Sequence, residues 1–113
     1  MSDTPKISQA LDDLFKVIES RKGGDPETSY TARLFEEGLG RITAKVGEEA
    51  TEVINAALRE TPEHVTSESA DLLYHLLVLW AEQGVTPEDV FEELRNRAGV
   101  SGIEEKESRD QGN

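Results

Sequence analysis

The chain has 113 residues, enough for one domain, and a hydrophobic fraction of 35% allows a packed but lean core. A formal net charge of −12 argues against a nucleic-acid backbone as partner, because binding phosphates in series needs a basic surface. Cysteine is absent, which excludes a disulfide framework and thiol chemistry, and there is neither an apolar run of about 18 residues nor a signal-peptide pattern.

Taken in chain order, the first predicted helix covers Ile7 to Arg21. Ile7, Leu11, Leu14, Phe15 and Ile18 recur at helical spacing and make one apolar stripe. Lys22-Gly23-Gly24-Asp25-Pro26 ends it. Glu27-Thr28-Ser29-Tyr30 reads as a turn that caps a short helix, Thr31 to Glu37, which Gly38 and Gly40 break. A second long helix is expected from Arg41 to Glu60, with a core stripe of Ile42, Val46, Ala50, Val53 and Ala57. Thr61-Pro62 opens the third, Thr61 as N-cap and Pro62 in the first turn, and Gly84 closes it after Gln83. Thr86-Pro87-Glu88-Asp89 starts a fourth long helix that ends near Arg97. No β-alternating segment, internal repeat or low-complexity tract is present. The expected class is all-α, a small bundle of four main helices in a domain spanning residues 1–98. A charged tail covers 99–113, and its end is expected to be disordered.

Five acidic residues stand out. Glu48, Glu49 and Glu52 lie in KVGEEATEV, and Glu68 and Asp71 in ESADLLYHLLVLW. At about 100° per residue, Glu49 borders the core stripe of its helix, with Glu52 and Lys45 beside it, while Glu48 lies opposite. On the next helix Glu68, Asp71 and His75 share one stripe, extended by Glu82. Leu72, Leu73, Leu76, Leu77 and Trp80 cover most of the rest. Carboxylates are almost never buried unpaired, so acids facing one another from two helices call for a cation. Oxygen ligands suit a hard cation, Mg²⁺ or Mn²⁺, able to hold a pyrophosphate. The blander account of the first three glutamates alone is a solvated helix face, and of Glu68 and Asp71 alone a favourable helix dipole. The continuation of the second stripe to His75 in an apolar helix weakens that account. His75 itself is more often a satisfied core histidine than a ligand, and Tyr30 and Trp80 are better core residues than stacking platforms. Lys45 suits a salt bridge to Glu49 as well as it suits a phosphate.

The pattern Glu48-Glu49-x-x-Glu52 followed by Glu68-x-x-Asp71 resembles the hallmark of the all-α, MazG-like nucleoside triphosphate pyrophosphohydrolases. The stretches SYTARLFEEG, KVGEEATEVINAA, ADLLYHLLVLW and GVSGIEEKESR sharpen the resemblance to the phosphoribosyl-ATP pyrophosphohydrolase family of histidine biosynthesis, over Leu11 to Arg109. Departures are small: Ala44 stands where a basic or amide residue is usual, and Ser69 where a small apolar one is. A monofunctional protein, without a fused cyclohydrolase domain, is expected. The resemblance implies hydrolysis of phosphoribosyl-ATP to phosphoribosyl-AMP and pyrophosphate, with Mg²⁺ held by Glu49, Glu52, Glu68 and Asp71. It implies that Glu48 helps to orient water, which makes Glu48, Glu49 and Glu52 the catalytic candidates. It also implies substrate contacts from Lys45, Ser29, Tyr30, Thr31 and Arg33, with His75, Arg97 and Lys106 as further candidates.

The family is generally homodimeric, with helices of both chains building the site, and a lean core points the same way. Leu73, Leu77 and Trp80 are the residues expected to need a partner's cover. A cytoplasmic location is expected. Two rivals stand beside this reading. One is a house-cleaning pyrophosphatase for dUTP, dCTP or damaged nucleotides, which would share the acidic motif but not SYT and LLYHLLVL. The other is a non-enzymatic helical adaptor or metal-storage bundle. A ferritin-like site would show Glu-x-x-His pairs, and here the pairing is Glu-x-x-Asp.

Overall fold

A computed structural model describes residues 7–98; the expectations for the tail at 99–113, Lys106 included, lie outside the described residues. Within them the chain forms α1 (Ile7–Ser20), α2 (Tyr30–Glu37), α3 (Leu39–Arg59), α4 (Pro62–Gln83) and α5 (Pro87–Ala98), and no strand. The all-α expectation holds, as four main helices with the short α2 between the first two.

Local chemistry explains the boundaries. Ser29 caps α2, its hydroxyl accepting from the Ala32 N–H at 3.1 Å. Gly38 adopts φ 95 with ψ −177, a positive-φ conformation open to glycine, and its N–H closes α2 on the Leu34 carbonyl. The helix α3 starts directly after it, so Gly40 lies within the first turn of α3 and breaks nothing. Thr61 caps α4 and Pro62 follows in the first turn, where a missing N–H costs no intrahelical bond. Gly84 ends α4 at φ 74, with its N–H and that of Val85 both on the Trp80 carbonyl. Thr86 and Asp89 cap each other's backbone at the start of α5.

The scaffold is the α3–α4 pair. One short link at Glu60-Thr61 folds the two longest helices back on each other, and theirs is the most extensive packing in the molecule. Helix α1 lies on α4, α2 bridges α3 and α4, and α5 rests on α1. Phe15, Ile18, Leu34, Ile42, Leu77, Val78 and Ala81 form the buried core. Leu11 and Leu14 pack at its edge, while Ile7, expected in the α1 stripe, is 80% exposed. On α3 the buried alanine is Ala56 and not Ala57, which is exposed. The stripe steps by three residues from Val53 because the face toward α4 rotates around the helix. Leu77 is fully buried within the single chain and needs no partner's cover; Trp80 packs against the core but is only partly buried, and Leu73 stays 43% exposed.

Candidate active site

Glu49 and Asp71 are equidistant in sequence from Glu60, so folding α3 against α4 sets them opposite each other. Glu68 is one helical turn before Asp71 on the same face. Glu49, Glu68 and Asp71 each offer an oxygen, and these oxygens lie within 4.8 Å of one another. Glu49 and Glu68 are half-buried and Asp71 is exposed. Desolvation, then the neighbouring charges of Asp71, Glu52, Glu49 and Glu60, push the Glu68 carboxyl above its ordinary 4.5. Three carboxylate oxygens at this spacing, with mutual repulsion to relieve, fit a hard divalent cation.

The other two acids are placed differently. Glu52 is exposed and outside the three-oxygen group, although its charge acts on Glu68. Glu48 is exposed and paired with the Lys45 ammonium at 3.1 Å. The hydrogen bond from Lys45 holds Glu48 below the usual carboxylate range, and the same bond raises Lys45. Lys45 also reaches Glu49 at 3.5 Å, with both side chains largely buried. One lysine therefore joins the outer face of α3 to the three-carboxylate group.

Helix α2 meets α4 through two adjacent side-chain pairs. The Tyr30 hydroxyl lies 2.9 Å from His75 Nε2, and His75 Nδ1 lies 2.7 Å from the Asp71 carbonyl oxygen. The next residue, Thr31, is buried and hydrogen-bonded to the Tyr74 hydroxyl. His75 is buried and satisfied, as expected of a core histidine, yet it touches the backbone of a carboxylate residue. Burial raises the Tyr30 phenol, against the opposing charges of Lys45 and Arg41, so the phenol stands within the field of the acidic face. Ser29 is committed to its cap. Arg33 donates to the Pro26 carbonyl at 3.2 Å and shares a surface groove with Glu27, Glu36 and Glu37. Arg97 pairs with Glu93 at 3.1 Å on α5 and lines a groove with Val85, Val90 and Leu94.

Two residues escaped the sequence reading. Tyr74 anchors Thr31, and its signal was its position one turn after Asp71. Arg41 acts on Tyr30 and pairs with Glu37 at 3.5 Å; it stands one turn before Lys45 on the same face of α3.

Residues 11–98 match the phosphoribosyl-ATP pyrophosphohydrolase family. The chain belongs to that family. It is 58% identical over 105 residues to a phosphoribosyl-ATP pyrophosphatase of Rhodospirillum rubrum, covering 93% of this chain and 90% of the relative. A phosphoribosyl-ATP pyrophosphatase of Azospirillum brasilense is 55% identical over 105 residues, covering 92% and 95%. One from Geobacter sulfurreducens is 49% identical over 111 residues, covering 98% and 100%. The family match begins within α1 and ends with α5, so it takes in the acidic site and the α2–α4 links alike.

Proposed function

We propose that this protein hydrolyses phosphoribosyl-ATP to phosphoribosyl-AMP and pyrophosphate, the second step of histidine biosynthesis, in the cytoplasm. The observation that carries the reading is the convergence of Glu49, Glu68 and Asp71 in a chain that belongs to this family. These three would hold Mg²⁺, or Mn²⁺ in its place, and Glu52, which lies outside the three-oxygen group but acts on Glu68 by its charge, would turn in to complete the set. When bound, the cation neutralises phosphate charge and polarises the phosphorus under attack. Lys45 and Arg41 give an acidic protein the local positive charge that a polyanionic substrate needs. Glu48, its proton affinity lowered by Lys45, acts as an acceptor that orients water and is a poor proton sink. Water adds to the phosphorus at the α–β linkage as its bond to the bridging oxygen breaks, pyrophosphate departs with that electron pair, and the water's proton passes to the departing pyrophosphate or to solvent. Ile54, Leu58 and Leu73 are exposed apolar residues on α3 and α4, and they support a homodimer formed through this helical pair.

The test is a product assay with Mg²⁺ on phosphoribosyl-ATP beside ATP and dUTP. Pyrophosphate and phosphoribosyl-AMP are expected, with ATP and dUTP far slower. Release of orthophosphate, or a preference for dUTP, would sink the assignment.

A further inference from the structure

The imidazole of His75 makes two bonds of opposite sense. A carbonyl oxygen only accepts, so the 2.7 Å contact with the Asp71 carbonyl assigns the ring proton to Nδ1. In the neutral ring Nε2 is then a bare acceptor. The Tyr30 hydroxyl 2.9 Å away is its donor, and a phenol has one proton to give. The edge-on contact of the two rings, with centroids 5.8 Å apart and planes at 79°, holds the phenol in that orientation. The adjacent bond from Thr31 to Tyr74 pins the same turn of α2 to α4.

We propose that His75 is a positioning residue: by accepting the phenolic O–H as a hydrogen bond it leaves the Tyr30 oxygen an acceptor toward the site, so that Tyr30 selects a hydrogen-bond donor of the nucleotide, a ribose hydroxyl, and not a phosphate oxygen. The inference rests on the function proposed above. Two oxygens that both only accept repel each other, so a phosphate is poorly served by this phenol. The cationic groups acting on the phenol, Lys45 and Arg41, are the ones suited to phosphate. Tyr30 is 46% exposed and able to meet a ligand, whereas His75 is 7% exposed and meets none directly.

The experiment compares wild type, Tyr30→Phe, His75→Gln, His75→Leu and the Tyr30→Phe/His75→Leu double variant at alkaline pH. Kinetics on phosphoribosyl-ATP are read beside calorimetric binding of phosphoribosyl-AMP and inhibition by inorganic pyrophosphate. Losing one neutral hydrogen bond in Tyr30→Phe raises KM about fivefold, with a smaller effect on kcat. Phosphoribosyl-AMP binding weakens by the same factor, and pyrophosphate, which offers only phosphate oxygens, inhibits as before. In His75→Gln the amide oxygen accepts the phenolic proton and recovers most of the KM, whereas His75→Leu does not. In KM the double variant is no worse than Tyr30→Phe, because both changes break the same Tyr30–His75 bond; the Nδ1 bond to the Asp71 carbonyl, which leucine also removes, is read separately in kcat and in the Mg²⁺ dependence. The inference is overturned by an unchanged KM in Tyr30→Phe, by pyrophosphate inhibition that weakens with nucleotide binding, or by additive KM losses in the double variant. A wild type that releases no pyrophosphate from phosphoribosyl-ATP overturns the function itself and this inference with it.

Discussion

Glu68 shows what the packing of two helices does to single side chains. Its carboxyl is raised by desolvation and by three nearby acids of the motif, so the folded chain keeps the proton to a higher pH than the unfolded chain does. Between 4.5 and that raised value the folded state binds more protons, and its stability therefore falls as pH rises through this window. Urea midpoints of the metal-free protein are expected to show it. Glu68→Gln matches wild type below the window and becomes the more stable of the two above it; parallel curves would count against the crowding of charge. Metal binding has the opposite slope, since a bound cation needs the ionised carboxylate. Alanine at Glu52 or Asp71 is expected to lower Mg²⁺-dependent pyrophosphate release by at least about a hundredfold. Normal rates at low Mg²⁺ in both variants would remove the four-ligand site.

At the scale of the helices, the site depends on how α3 and α4 are joined. The Thr61 hydroxyl accepts from the His64 N–H at the start of α4, directly after the link that sets Glu49 against Asp71. Thr61→Ala is expected to cost about 1 kcal/mol, read as a lower urea midpoint with an unchanged slope. Gly38 serves as the end of α2 and the beginning of α3 at φ 95, with no atom crowding its place for a side chain. Gly38→Ala should cost about 1–3 kcal/mol through backbone conformation alone, because positive φ with extended ψ is a region essentially reserved to glycine. The acidic motifs and the caps were legible in the sequence, because helical spacing and capping chemistry are local. The turn from Val53 to Ala56, and the exposure of Glu52 beside half-buried Glu49, were not. A helical wheel describes one straight helix, whereas burial depends on where the neighbouring helix crosses it.

For the whole molecule, the question is what covers the outer face of the α3–α4 pair. Ile54 is 57% exposed and Leu58 76% exposed, one turn apart on α3, with Leu73 on α4 also uncovered. A dimer that buries them is expected, each side chain contributing about 1.5–3 kcal/mol when fully covered. Sedimentation of Leu58→Glu should give a folded monomer with reduced pyrophosphate release. A wild type that is monomeric and fully active at assay concentration would remove the dimer. By contrast, Leu77→Ala should lower the stability of the single chain by about 2–5 kcal/mol, because Leu77 is buried there without any partner.

The sequence by itself determined the all-α class, the helix ends marked by the Glu27-Thr28-Ser29-Tyr30 turn, Gly38, Thr61 and Gly84, and the acidic pattern that points to the family. Each of these is written in short-range spacing and side-chain chemistry. Only the tertiary structure decided that Glu49, Glu68 and Asp71 gather while Glu52 stays outside. It alone decided that Leu77 is interior to one chain, and that His75 ties Tyr30 to the backbone of Asp71. Those outcomes depend on the crossing of α2, α3 and α4, which brings together residues far apart in the chain and rotates each helix by an amount that its own periodicity does not encode.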